Sequence, residues 1–279
     1  MDTNNKPKLG IALSGGSALG IFHIGFLKAL TERQVKIDYI SGTSAGAIVA
    51  AAFAFGVPLD ELSRRAKKLS WYGLSKFTYS KLGLVSNQAI GDMIRELLGD
   101  PDIREAKIPL SVVATDISNG EKIVFKEGNL IRALMASSCI PGLFVPVEID
   151  GRKLVDGGLT ENLPLSPLKD MGADIRVGVD LFRFSPQRKP RNILDVIMNS
   201  IDILAGHQAH TYGVNSELMI EPHLEGFSPS DFKKSDELER AGYSYGSEAV
   251  PAIARLTGIE PPVRRSFWEK FVDWIENKA

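Results

Sequence analysis

The stretch IDYISGTSAGAIVAAAFAFG, Ile37–Gly56, decides the fold. A short apolar run, Ile37–Ile40, stops at Gly42-Thr43-Ser44-Ala45-Gly46, and small apolar residues in a helical pattern follow at once. A buried strand entering a helix through a tight turn has this form. Gly-x-Ser-x-Gly at 42–46 is also the layout of a nucleophile elbow, whose flanking positions must be small and whose serine is pushed out at the top of the sheet. The helix N-terminus that follows favours negative charge developing near Ser44. A glycine-rich corner without chemistry reads the same way, so this stretch alone leaves the two readings level.

The same arrangement occurs earlier in the chain. KLGIALSGG (8–16) is a short buried strand running into glycines, and ALGIFHIGFLKALTERQ (18–34) is a helix with Ile21, Ile24, Leu27 and Leu30 on one face. Strand-helix-strand-helix order predicts a parallel sheet covered by helices. Residues 58–105 read as mainly helical and charged, interrupted by an aromatic stretch at 71–79. IPLSVVATDI and KIVFKE are two strands around Asn119-Gly120, and NLIRALMASS is a helix ending before Pro141. VEIDGRKLVDGG is a hairpin turning at Asp150-Gly151. A further strand at 173–182, a helix at 191–211 and a last strand at 215–222 complete a core over about residues 8–222. From Ser235 the pattern is helical, interrupted by Pro261-Pro262. With no repeat, low-complexity tract or linker, the expectation is one domain over 1–279 with a helical C-terminal extension at 231–279.

The bulk numbers bound the function. A chain of 279 residues, 44% hydrophobic and 24% charged, is ordinary for a globular domain. The net charge of −1 gives no global field favouring nucleic acid. One cysteine, Cys139, excludes an internal disulfide, and with only four histidines no Cys/His metal cluster is expected. The polar N-terminus lacks the layout of a signal peptide, and the most apolar segment, 45–57, is short of the roughly 20 residues a membrane span needs. The expectation is a cytoplasmic protein that needs no cofactor. RRSFWEKFVDWIENKA (264–279) places Phe267, Trp268, Phe271, Trp274 and Ile275 on one helical face. That face suits docking on the domain or peripheral membrane contact, with Glu269, Asp273 and Glu276 diluting its basic character. Oligomeric state is not legible.

A serine nucleophile needs a base, and the histidines are poorly placed. His23 lies on an apolar helix pattern and reads as a packing residue; His207, His210 and His223 have no distinctive loop setting. Asp156 is the better candidate, because Asp156-Gly157-Gly158 ends a hairpin strand where no turn is required. It can accept the Ser44 proton directly, although a plain strand-end turn is the competing reading. SGGSALG (14–20) opens a helix with a row of backbone N–H groups, at Gly15, Gly16 and Ser17, that suit an oxyanion. It is neither a dinucleotide fingerprint nor a Gly-Lys-Ser/Thr phosphate loop. A plain tight turn fits this loop equally.

Four motifs in order, ALSGGSALGIFHIGFLKAL, SGTSAGAIVAA, ALMASSCIPGLFVPV and LVDGGLTENLPL, resemble the patatin-like phospholipase family over roughly residues 8–180. The resemblance implies a three-layer α/β/α sandwich with a mainly parallel sheet. It also implies a lipid acyl hydrolase with a serine–aspartate dyad, without metal or catalytic histidine, acting on a lipid ester. The family nucleophile falls on Ser44 within Gly42 and Gly46, its aspartate on Asp156 before Gly157 and Gly158, and its oxyanion loop on Gly15, Gly16 and Ser17. Two positions depart from the pattern. Ser17 stands where a third glycine is usual, and would be strained at positive φ; Leu19 stands where an arginine or lysine is usual. These departures leave room for a weakly active or non-catalytic binding protein of the same fold, and a small-ester carboxylesterase or thioesterase is a variant of the hydrolase reading.

Overall fold

Leu9, Ile11 and Leu13 alternate with Gly10 and Ala12 along the first strand, and both sets are buried. A strand buried on both faces belongs inside a sheet with helices on either side. The computed structural model describes residues 6–68, 76–77, 80–182, 196–197, 199–201, 203–204, 216–229 and 232–259. The strands are β1 (Leu9–Leu13), β2 (Tyr39–Thr43), β3 (Lys76–Phe77), β4 (Val85–Ser86), β5 (Leu110–Asp116), β6 (Lys122–Phe125), β7 (Val147–Ile149), β8 (Arg152–Asp156), β9 (Ile175–Val179) and β10 (Leu218–Ile220). The helices are α1 (Ile21–Glu32), α2 (Ala45–Ala54), α3 (Leu59–Ala66), α4 (Gln88–Leu98), α5 (Leu130–Ser137), α6 (Leu165–Asp170) and α7 (Ser235–Thr257).

β10, β9, β1, β2 and β5 are successive parallel neighbours, with β6 and β8 antiparallel to β5, and β7 antiparallel to β8. Leu9, Ile11, Leu13 and Ile40 enter the main core with residues of α1, α2 and α7. Ala12 faces the other way, into a smaller cluster with Leu163, Leu165 and Leu168 around α6. The sheet is therefore mixed, with helices on both sides. β3 and β4 form a separate two-stranded ribbon.

The β7–β8 hairpin turns where the Asp-Gly pair predicts, with Asp150 at φ 50° and Gly151 at φ 76°. Two consecutive positive φ values match the right-handed twist of the strands they join. β2 departs from expectation. It starts at Tyr39 and runs through Gly42 and Thr43, because both pair with β5 opposite Val112 and Val113. The strand thus carries its ladder to the foot of the serine turn.

α7 lies against α1 closely enough that a Cβ on Gly242 would overlap the Phe22 carbonyl, and one on Gly25 the Glu239 carbonyl. Its Leu238, Ala249, Val250 and Ile253 belong to the main core. Lys28 of α1 completes the junction, pairing with Glu239 at 2.5 Å and Asp60 of α3 at 2.6 Å. Of the helix expected over 191–211, residues 196–197, 199–201 and 203–204 are helical. The remainder, with His207 and His210, lies outside the described residues. So do the amphipathic stretch 264–279 and the aromatic stretch 71–79, apart from β3. Among the described residues no helix is long and apolar enough to cross a membrane.

Candidate active site

The register of β5 explains how two residues 112 positions apart in sequence, Ser44 and Asp156, come together. β2 pairs with β5 as far as Thr43 opposite Val113, and β8, arriving from the other direction, ends with Asp156 opposite Ala114. β6 pairs with Val112 to Thr115 on the opposite edge. A strand has two edges, so β2 and β8 share one edge and meet end to end at adjacent β5 residues. Gly157 continues this contact: a Cβ there would overlap the Val113 carbonyl and stand 3.0 Å from the Thr43 methyl.

Ser44 follows β2 and precedes α2 with φ 53° and ψ −124°, a backbone conformation that non-glycine residues rarely adopt. Its N–H donates to the Ser137 hydroxyl of α5 at 2.8 Å, which pins the turn from behind. The neighbours have to be small. A Cβ on Gly42 would lie 2.5 Å from Ala47 Cα, and one on Gly46 would overlap the Leu13 and Ser14 carbonyls of the β1 end. These contacts bring the start of α2 against the end of β1.

The Ser44 hydroxyl lies close enough to the Asp156 carboxyl to favour its charged form. Asp156 is 5% exposed and also accepts from the Gly158 N–H at 2.8 Å. Burial pushes its pKa up to about 6, while the Gly158 N–H and the Ser44 hydroxyl oppose the rise. A carboxyl poised near neutral pH is a far better proton acceptor than an ordinary aspartate near 4.

The glycine-rich loop follows β1 and faces Ser44, since a Cβ on Gly15 would be 3.2 Å from Ser44 Cβ. Of the three amides expected to point at an oxyanion, that of Gly15 is already directed to the Asn162 carbonyl at 3.2 Å. The turn after Asp156 brings Asn162 against the loop, which narrows the set to Gly16 and Ser17. Neither of those N–H groups has a partner among the described residues. Ser17 has φ 51°, the conformation that a glycine would adopt without strain. Leu19 is 1% exposed and packs in the main core, so a core side chain occupies the place where a cation is usual.

Several contacts that shape the site carried no distinct signal in the sequence, although His23 read there as a packing residue. The Ser14 hydroxyl donates to the Gly15 carbonyl at 3.0 Å and accepts from the Leu181 N–H at 3.1 Å, and the Ala18 N–H is held by the Pro229 carbonyl at 2.9 Å. His23 is buried with Nε2 2.9 Å from the Ser14 carbonyl, and burial lowers its pKa to about 4. It is neutral at pH 7 and donates from Nε2, bracing the loop as a packing residue. Ser41 and Thr43, on one face of β2, donate to the Pro164 and Glu161 carbonyls at 2.6 and 2.8 Å. Two hydroxyls at i and i+2 in an apolar strand were the clue available for this last contact. Cys139 is buried, its Sγ 3.3 Å from the Val145 carbonyl, and burial pushes the thiol up to about 12. Among the described residues no cluster of His, Cys, Asp and Glu is grouped to hold a metal.

A family model described as patatin-like phospholipase matches residues 11–169. An uncharacterised NTE family protein of Mycobacterium tuberculosis is 37% identical over 181 residues, covering 64% of this chain and 50% of that protein. Lysophospholipase NTE1 of Meyerozyma guilliermondii is 28% identical over 277 residues, covering 88% of this chain and 19% of that protein. The chain thus spans half the length, or less, of these curated relatives. Among solved structures, the type III effector protein ExoU superposes with TM-score 0.51 at 16% identity, covering 89% of this chain and 53% of that one. VipD from Legionella pneumophila superposes with TM-score 0.50 at 16% identity, covering 89% and 67%. These likenesses bear on the fold.

Proposed function

The chain belongs to the patatin-like phospholipase family, and from that premise we propose that it is a serine acyl hydrolase cleaving fatty-acyl esters of phospholipids or related lipids. The observation that carries the reading is the juxtaposition, at adjacent β5 residues, of Ser44 on its positive-φ turn and the buried Asp156 carboxyl. Relatives named as lysophospholipases support lipid hydrolysis in general. The substrate and the dyad are our assignment.

In this mechanism Ser44 Oγ bonds to the ester carbonyl carbon while its proton passes to the Asp156 carboxylate. The carbonyl electron pair moves onto oxygen, where the Gly16 and Ser17 N–H groups and the N-terminus of α2 stabilise it. Collapse breaks the ester C–O bond, and the leaving alcohol takes the proton from Asp156. Water then attacks the acyl-serine, giving its proton to Asp156; the fatty acid departs and Ser44 recovers its hydrogen. Losing one oxyanion donor costs about 3–4 kcal/mol in barrier. A backbone donor cannot be removed by side-chain substitution, so Ser44 and Asp156 are the direct test.

The lipid reading also assigns a surface. Ile201 comes within reach of Gly158, where a Cβ would be 3.7 Å from its Cγ2, and the same segment exposes Val196, Ile203 and Leu204. We assign this apolar edge to contact with aggregated lipid. Turnover of p-nitrophenyl esters and of a lysophospholipid should be measured for wild type, Ser44→Ala and Asp156→Asn. Both variants should lose turnover of both substrates. Full activity in Ser44→Ala would overturn the mechanism, and a folded wild type inert to every ester would favour a binding protein of the same fold.

A further inference from the structure

Three segments must stay in register for a Ser44–Asp156 site to work: the serine turn, the aspartate turn and the glycine-rich loop. One dipeptide touches all three. The Glu161 N–H donates to the Gly157 carbonyl at 2.9 Å, within the aspartate turn. The Glu161 carbonyl accepts the Thr43 hydroxyl at 2.8 Å, one residue before Ser44. The Asn162 carbonyl accepts the Gly15 N–H at 3.2 Å.

The side chain of Glu161 fixes that dipeptide to the scaffold. It is fully buried, its Oε2 2.7 Å from Lys122 Nζ of β6 and 2.6 Å from the Ser166 hydroxyl, and its Oε1 accepts the Ser166 N–H at 2.8 Å. Lys122 also donates to the Ser166 hydroxyl at 2.7 Å. A buried carboxylate with all these partners is a poor source of net stability compared with an apolar residue, so its role is better sought in fixing geometry. Neither side chain belongs to the dyad or the oxyanion loop.

We infer that Glu161, held by Lys122, is a positioning residue that sets the register of the Ser44 turn, the Asp156 turn and the Gly15–Ser17 loop. The inference rests on the hydrolase reading above. Small misplacements of reacting groups carry large penalties in rate, on the order of a hundredfold for 1 Å. Effects routed through one element are non-additive, whereas independent ones add.

The test measures kcat and KM for a p-nitrophenyl ester, at a temperature well below melting, in Lys122→Met, Lys122→Arg, Thr43→Val and the Lys122→Met/Thr43→Val double variant. Lys122→Met and Thr43→Val should each lower kcat on the order of tenfold or more, with KM nearly unchanged. Lys122→Arg should restore most of the loss. The double variant should be little worse than the worse single one. Unchanged kcat in Lys122→Met and Thr43→Val, with only melting temperature lowered, would make this a structural ion pair and overturn the inference. If Lys122→Met does not fold, Thr43→Val decides by itself, because it removes one hydroxyl and keeps the shape. An inactive wild type would instead overturn the hydrolase reading, and the positioning role with it.

Discussion

Ser44 and Ser17 both hold positive φ, at 53° and 51°, and the two strains have different standing. At Ser44 the side chain is the proposed nucleophile, so strain there is the condition for presenting it. At Ser17 only the backbone N–H has a proposed role, and a glycine would supply it in a relaxed conformation. Ser17→Gly should therefore remove about 1 kcal/mol of left-handed strain, partly offset by glycine's flexibility in the unfolded chain. Thermal melting should rise slightly and ester turnover should be kept or improved; a marked loss of either would show that the Ser17 side chain matters. Asp156 sets the pH behaviour. As the proposed base, with pKa about 6, it must be ionised to take the Ser44 proton, so kcat/KM should fall as pH drops through about 6. The stability effect has the opposite sign. Between the ordinary carboxyl pKa near 4 and about 6 the folded state holds a proton that the unfolded state has lost, so this group's contribution falls as pH rises across that window. Chemical denaturation should find Asp156→Asn more stable than wild type at pH 7, with the gap closing towards pH 4.

At the scale of elements, the strand–turn–helix units at 9–32 and 39–54 were legible because their signals are local: alternation, small residues at a turn, apolar spacing on a helix. The β7–β8 hairpin was legible for the same reason, through Asp150-Gly151. What could not be read was long-range. Nothing in LVDGGLTENLPL says that β8 ends against β2 on one edge of β5, and that junction is what brings Asp156 to Ser44. Glu161 sits in the polar run Thr160-Glu161-Asn162, yet it is fully buried because Lys122, 39 positions away, supplies its counter-ion. The engagement of the Gly15 N–H by Asn162 was invisible for the same reason. Helix α7 adds a prediction at this scale. A side chain on Gly242 would meet the Phe22 carbonyl, a backbone atom that cannot turn aside. Gly242→Val should push α7 off α1 and destabilise the protein by about 1–3 kcal/mol or more, measured by denaturant unfolding. An unchanged midpoint would mean that the helix is not seated as described.

For the whole molecule, the sheet brings the proposed nucleophile and its glycine-rich loop to one end. The serine turn and the glycine-rich loop lie beyond the carboxyl ends of β2 and β1, the usual place for a site in an open α/β sheet. Ile201, in the segment that exposes Val196, Ile203 and Leu204, comes within reach of Gly158, next to the proposed base. A charge placed there should separate lipid contact from chemistry. Ile203→Asp should lower activity on phospholipid vesicles several-fold while leaving turnover of a soluble p-nitrophenyl ester unchanged. Equal loss on both substrates would mean that Ile203 supports the fold and not a lipid surface.

The mechanism proposed here rests on Ser44 as nucleophile and Asp156 as its base. Mass spectrometry after reaction with a fluorophosphonate, run as a pH series and followed by peptide mapping, tests it most directly. A single adduct is expected, on the peptide containing Ser44, formed at a rate that rises with pH through about 6 and that collapses in Asp156→Asn. An adduct on another residue, or none on a folded wild type, would contradict it.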